Sequence, residues 1–330
     1  MKVLAGDEIS RELWDNFISS NPFTTPFQTP RFDDFYNSVT NHSADVFAVD
    51  DEGSIVSLMV VTFQKEKGLK SFLSGRIIVY GGPVLKENTY TGISLITAEI
   101  KRKYKKKAVY IEIRNLKDYS NYFTEFESAG WKYIPYLNFR VLCSSESVIW
   151  SNLNRLRKRQ IKRSIANNVH IGVAKGITEV KELYNLLYEL YTNKIGKPIF
   201  SENFFTGLFK SGLCKVFIVK AGNKIIGGHI CLYDENVIYD WYGCGLDKEY
   251  RDYAPSTMAV YAALLDGAFY NLKYFDFMGA GTPGEKYGVR DFKEQFGGEK
   301  VEYGRYRIIL RPALFYLGKF GIKLLSKLKD

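Results

Sequence analysis

Histidine and cysteine are scarce in this chain, three of one and four of the other among 330 residues. His42, His170 and His229 stand apart from one another, and none has a Cys or carboxylate at metal-ligand spacing, so no metal site is expected. Cys143, Cys214, Cys231 and Cys244 include no C-x-x-C pair and read as buried free thiols of a reducing compartment. The G-x-S-x-G elbow of a hydrolase nucleophile is missing, which leaves a Ser-His-Asp triad without a supporting motif. Apolar runs are too short to span a bilayer, and Met1–Ser10 is charged and polar, without the apolar region of a signal peptide. A cytoplasmic protein is therefore expected. Acid is in deficit too: 36 Asp and Glu against 46 Lys and Arg, a net charge of +10. That balance suits an anionic partner, whether nucleic acid, phosphorylated substrate or anionic membrane surface.

Apolar residues are plentiful at 46%, enough for a large core, and the length suits about two domains. The chain also repeats itself. Val46-Phe47-Ala48-Val49, a polar turn and Ile55-Val56-Ser57 match Val216-Phe217-Ile218-Val219, a polar turn and Ile225-Ile226-Gly227. A helical segment at 91–107 leads into the strand 109–113, as one at 256–270 leads into 274–277. Segment 126–142 (FESAGWKYIPYLNFRVL) then parallels 292–310 (FKEQFGGEKVEYGRYRIIL). Three matches in one order predict two copies of an α/β unit, 1–145 and 146–310, each a hairpin, a helix, a strand and a closing hairpin. The second hairpin, Lys215 to Gly245, is expected to turn at Gly222-Asn223 and again near Asp234-Glu235-Asn236. Pro255-Ser256 opens the next helix, with Ser256 as its expected N-cap.

The stretch Phe275-Asp276-Phe277-Met278-Gly279-Ala280-Gly281 reads as a buried strand ending in a glycine loop, where backbone N–H groups could approach a ligand. Arg290 and Lys293 follow, and Lys293 stands between Phe292 and Phe296, a cation with a fixed address. Asp276 lies mid-strand as either a functional group or a structural acceptor. Arg155, Arg159, Lys162 and Arg163 cluster at helical spacing, a phosphate-binding face or a solvated one. Lys101–Lys107 reads as a solvated helix end. In the tail 311–330, Leu314, Leu317, Gly321, Leu324, Leu325 and Leu328 fall opposite Lys319, Lys323 and Lys327, an amphipathic basic helix suited to an anionic membrane surface.

Two tandem units with G-A-G and V-R-D-F-K-x-x-F-G-G resemble the FemABX family of peptidoglycan-bridge aminoacyltransferases. Phe27-Gln28-Thr29-Pro30, Gly82-Pro83-Val84-Leu85 and the basic helix from Arg155 to Arg163 add to the likeness. The resemblance implies an α/β (α+β) fold of two tandem GNAT-like domains, each a mixed, mostly antiparallel sheet flanked by helices, the second carrying the main site. It implies transfer of an aminoacyl group from aminoacyl-tRNA to an amine of a peptidoglycan or other cell-envelope precursor. Phe292 and Lys293 match the family's F-K motif, whose lysine meets the acyl donor or its developing charge, and Tyr242 matches a tyrosine near the precursor. The family's lysine in the helix after Q-x-P is replaced near Tyr36, and the acidic residue after G-P-V-L is Lys86 here, followed by Glu87. The long charged helical hairpin that some members insert in the second unit is missing.

N-acylation needs a neutral amine held against an activated carbonyl, and donors for the oxyanion. The expected site combines Lys293 with the amides of Gly279 to Gly281 as donors and Asp240 as base or amine anchor. Tyr242, Phe292, Arg290, Ser256 and Tyr36 are the expected binding residues. Asp240 and Tyr242, two apart on one strand, are expected to share a face. No tightly bound cofactor is expected; aminoacyl-tRNA or acyl-CoA would be the co-substrate. Two other readings stand beside this one. An acyl-CoA-dependent N-acetyltransferase acting on an envelope amino sugar would bind pyrophosphate at the Pro255-Ser256 helix terminus. A non-catalytic binder of RNA or envelope precursor would use the basic helices and aromatics alone. The expected location is the cytoplasm, peripheral on the inner face of the membrane.

Overall fold

The computed structural model of the protein describes residues 1–19, 21–66, 71–196 and 198–327. Its first sheet holds β1 (Lys2–Ala5), β2 (Ser43–Asp51), β3 (Ser54–Gln64), β4 (Arg76–Gly81), β5 (Val84–Leu85), β6 (Tyr110–Asn115) and β7 (Lys132–Ile134). The second is built from β8 (Asn138–Leu142), β9 (His170–Val173), β10 (Cys214–Ala221), β11 (Lys224–Tyr233), β12 (Val237–Gly245), β13 (Tyr274–Asp276) and β14 (Glu299–Val301). The last strand, β15 (Arg305–Ile309), returns to the first sheet. The orders are β1-β2-β3-β4-β6-β15-β7 and β9-β10-β11-β12-β13-β8-β14, with β5 beside β3. Position by position the senses agree. All neighbours are antiparallel except β4 with β6 and β12 with β13, which are parallel.

The repeat is thus real at the level of strand order. The bulge that interrupts the first hairpin at Val49/Asp50 recurs at Val219/Lys220. The boundaries differ from 1–145 and 146–310. The units are Met1–Pro135 with Tyr303–Asp330, and Tyr136–Glu302. The cause is an exchange of strands: β8 leaves the first half to pair with β13, and β15 leaves the second to pair with β6. Both carry an arginine amid apolar residues, Phe139-Arg140-Val141 and Tyr306-Arg307-Ile308, so each suits the other's slot.

Local signals account for the elements that frame the second sheet. Glu52 and Gly53 turn the first hairpin with positive φ at both, and Gly222-Asn223 joins β10 to β11 as expected. The Asp234 carboxylate turns β11 into β12 by accepting from the amides of Asn236 and Val237 and from the Tyr239 hydroxyl. Helix Pro255–Phe269 covers one face of the second sheet; Met258, Ala259, Ala263 and Leu264 pack with Phe217, Val219, Cys231, Ile238 and Phe275 in a closed core. Helices Ile177–Glu189 and Glu202–Lys210 cover the other face, bringing Leu183 against Gly228 and Phe205 against Tyr242. The first sheet has its own core around Phe47, Val61, Ile77, Ile96 and Phe126. All four cysteines are buried and free.

Candidate active site

β12 and β13 run parallel only from Val237–Tyr274 to Tyr239–Asp276. Beyond that point β12 continues to Gly245, whereas the chain after Asp276 turns into the glycine loop. The sheet therefore opens at Asp240.

One wall of the opening is the loop 277–282, and its shape is determined by polar side chains. Met278 has φ 55° and Gly279 φ 137°, a path that costs a side chain at 279 heavily. Asp276, fully buried, accepts from the Met278 amide and from Asn138 Nδ2, both at 2.7 Å, while Asn138 Oδ1 takes the Gly279 amide at 2.7 Å. The Ala280 amide goes to Leu137 O. The Gly279 and Ala280 amides are therefore committed within the fold, which removes them as the expected oxyanion donors.

Lys293 sits on the short helix Gly288–Glu294 and donates to the carbonyls of Phe277 at 2.9 Å and Gly279 at 2.6 Å. Burial pushes its ammonium below the ordinary lysine range, against the pull of Asp240 and Asp276. Burial in turn raises Asp276, against Asn138, the Met278 amide, Arg140 and Lys293. Arg290, expected to bind substrate, instead holds the loop: its guanidinium donates to Ala280 O at 2.9 Å, Glu285 O at 2.8 Å and Thr282 O. Phe292 is anchored by the buried Arg157, which lies 4.1 Å over its ring and bonds to Thr257 Oγ1 at 2.8 Å. Arg157 belongs to the basic helix that carries the family likeness but falls outside the cluster expected to meet phosphate. It lies on one helical face with Ile161 and Ser164, a spacing that could have marked it. Arg155, Arg159, Lys162 and Arg163 are exposed.

The other wall is β12. Asp240 is buried and bonds to His229 Nδ1 at 2.6 Å. His229 lies flat across Gly243, where a Cβ would strike its ring. Tyr242 does not share this face. β11 pairs Ile230 with Tyr242 but Cys231 with Asp240, a register shift at Trp241 that reverses the alternation. Tyr242 instead joins Tyr191, Phe200 and Phe205 on the far side of the sheet. Sequence alone does not mark His229 as a site residue, because it pairs with Gly243 and only the register shift at Trp241 brings Asp240 onto its face.

Two further expectations change. Helix Pro255–Phe269 has Ala254, in the left-handed region, at its N-cap position, and Ser256 lies inside the first turn. The Asp247 carboxylate caps that turn, taking the Ser256 amide at 3.2 Å and its hydroxyl. Tyr36 is fully buried among Phe32 and His42, out of reach of a substrate. Among the described residues no group of His, Cys and carboxylates could hold a metal.

Residues 151–294 match the family model described as an acetyltransferase (GNAT) domain. The second unit carries an acyltransferase domain of GNAT type. No curated protein sequence matches the chain. Among solved structures, FemX superposes with a TM-score of 0.71 at 14% identity, over 96% of this chain and 99% of that one. L-PGS from Bacillus licheniformis gives 0.57 at 12%, over 94% and 96%. A tandem GNAT protein from the clavulanic acid biosynthesis pathway gives 0.57 at 10%, over 94% and 99%. The chain has the tandem GNAT fold of FemX, and an acyl donor as co-substrate goes with its GNAT domain.

Proposed function

We propose that this protein is an aminoacyltransferase of FemABX type, moving an aminoacyl group from aminoacyl-tRNA to an amine of a peptidoglycan or other cell-envelope precursor in the cytoplasm. Asp247 carries the choice of donor. An acyl-CoA brings a pyrophosphate, and the N-terminus of helix Pro255–Phe269 is the place for it. A carboxylate already satisfies that terminus through Ser256, and it would repel a second anion. An aminoacyl ester on a tRNA end asks for no pyrophosphate site, and a net charge of +10 suits a polyanionic donor.

The chemistry follows from the open strand pair. The acceptor amine attacks the ester carbonyl; the new C–N bond forms as the ester C–O bond breaks. His229, oriented by Asp240 through Nδ1, takes the amine proton at Nε2 and returns it to the departing tRNA hydroxyl. Two of the three Lys293 protons are spent on loop carbonyls, and the third faces the oxygen charge that grows in the transition state.

Ligand-dependent melting tests the donor, because a ligand that binds only the native state raises its stability. Aminoacyl-tRNA should raise the melting temperature and acetyl-CoA should not, while Asp247→Ser should admit some binding of acetyl-CoA. A rise with acetyl-CoA alone in the natural protein would favour the N-acetyltransferase reading, which the GNAT domain match supports. Binding of RNA without transfer to any amine would favour the non-catalytic one.

A further inference from the structure

The strongest unexplained surface lies at one end of the first sheet. β4 begins at Arg76, β6 begins beside it at Tyr110, and β15 ends at Ile309 opposite Tyr110. Backbone bonds tie the three ends together: Val109 N to Gly75 O at 2.7 Å, and the amides of Leu310 and Arg311 to Val109 O at 2.9 and 3.0 Å. Three segments therefore meet there. They are the short helix Ser71–Ser74, the lysines Lys105 to Lys107, and the terminal helix Pro312–Lys327. The two helices touch each other.

The terminal helix docks through Phe315, whose ring meets Tyr110 edge-on at 5.7 Å and lies under the Arg307 guanidinium at 5.8 Å. That contact leaves Tyr316, Leu317 and Phe320 more than half exposed, at 62%, 54% and 66%, with Phe72 of the neighbouring helix at 57%. Water rarely tolerates so many large apolar side chains grouped at one site without a partner. Lys105, Lys106, Lys107 and Lys319 are exposed around them, and among the described residues none of the four makes a salt bridge. The side chains from 322 onward, including Lys323, Leu324, Leu325 and Lys327, and all of residues 328–330, lie outside the described residues.

We infer that this end of the first sheet is a docking surface for an anionic lipid bilayer, with Phe72, Tyr316, Leu317 and Phe320 entering the interface and Lys105–Lys107 and Lys319 meeting the headgroups. Exposed aromatics ringed by lysines match the composition of interfacial segments, in which apolar burial and attraction to anionic lipid add. A second copy of the chain fits less well, because a self-contact would bring the same lysines face to face. The inference stands apart from the choice of acyl donor, since lipid binding needs no catalysis.

Sedimentation of the full chain with vesicles decides it. The natural protein should pellet with vesicles containing phosphatidylglycerol, less so as salt rises, and stay in the supernatant with phosphatidylcholine alone. Leu317→Asp with Phe320→Asp should weaken binding at least about tenfold, as expected when apolar burial in the interface is lost. Replacing Lys105, Lys106 and Lys107 by Gln should weaken it on the order of a hundredfold at low salt, with an unchanged melting temperature. Absence of pelleting by the natural protein would overturn the inference, as would full binding by either variant. A concentration-dependent dimer that the Leu317→Asp, Phe320→Asp pair abolishes would also overturn it, by assigning the surface to a second copy.

Discussion

In the first unit the sheet parts between β3 and β4, and a single glutamine closes the gap; in the second it parts between β12 and β13, where the catalytic candidates lie. β3 pairs with β4 only from Thr62 to Gln64 and then with β5 at Ser57 and Leu58. Gln28 bridges the unpaired stretch, donating to Tyr80 O at 2.7 Å and accepting from Val60 N at 2.8 Å. β6 meanwhile stays zipped to β4 from Arg76–Tyr110 to Gly81–Asn115. Gly81 and Gly82, with positive φ, pack under Thr25 and Tyr119, whose hydroxyl bonds to Pro83 O at 2.6 Å. Equal strand order thus yields one filled unit and one open one. The strands β12 and β13 can part because Asp276, Asn138 and Lys293 satisfy the loop that β13 runs into.

The exchanged strands make the same contrast. Glu112 on β6 receives Arg305 and Arg307 from β15 and Arg114 from its own strand. At the corresponding place Asp276 on β13 receives Asn138 and faces Arg140, both from β8. Burial alone would raise Glu112, but the three guanidiniums outweigh it and hold the carboxyl down at about 2. In the first unit the acid clips a strand in place. In the second its counterpart has given one oxygen to the glycine loop.

If the open unit is the catalytic one, the largest effect should come from Lys293→Ala: a fall in turnover of about 10²–10³-fold with smaller change in acceptor affinity, read by single-turnover kinetics. His229→Gln should cost about a hundredfold in kcat/KM, and the loss should shrink as rising pH deprotonates the amine without help. The paired acids should separate next. Glu112→Gln leaves guanidiniums unbalanced and should cost about 3 kcal/mol in denaturant unfolding. Since its folded pKa lies below the ordinary value, the stability Glu112 supplies is present above about pH 4.5 and is lost as pH falls toward about 2. Asp276 has the opposite sign, its contribution being greatest when protonated and lost as pH rises through its raised pKa. Asp276→Asn keeps an acceptor at Oδ1 and should cost about 1 kcal/mol. The smallest effect on chemistry belongs to Gln28→Ala. It should lower stability by about 2 kcal/mol through two orphaned backbone groups, yet leave turnover per folded molecule unchanged.

The hairpin motif spaced by 170 residues made the repeat legible, and the glycine loop and Lys293 stood out because buried strands seldom end in such a run. The exchange of β8 and β15 was hidden, because Phe-Arg-Val and Tyr-Arg-Ile obey one pattern and pairing partners are set by long-range contacts. The face of Tyr242 was misread for a related reason: alternation holds only while the register does, and nothing in Asp240-Trp241-Tyr242 announces the shift at Trp241. Ser256 looked like a cap because the left-handed turn at Ala254 and the returning Asp247 leave no local signature. Gln28 was singled out by family likeness; its reason is the gap it bridges.

Hydrogen exchange of the full protein with and without aminoacyl-tRNA tests the contrast between the units most directly. Protection should appear in the amides of 240–245 and 277–282, while 57–61 and 80–85 stay unchanged. Protection confined to the first unit's stretches, with the second unit's opening unaffected, would contradict the account.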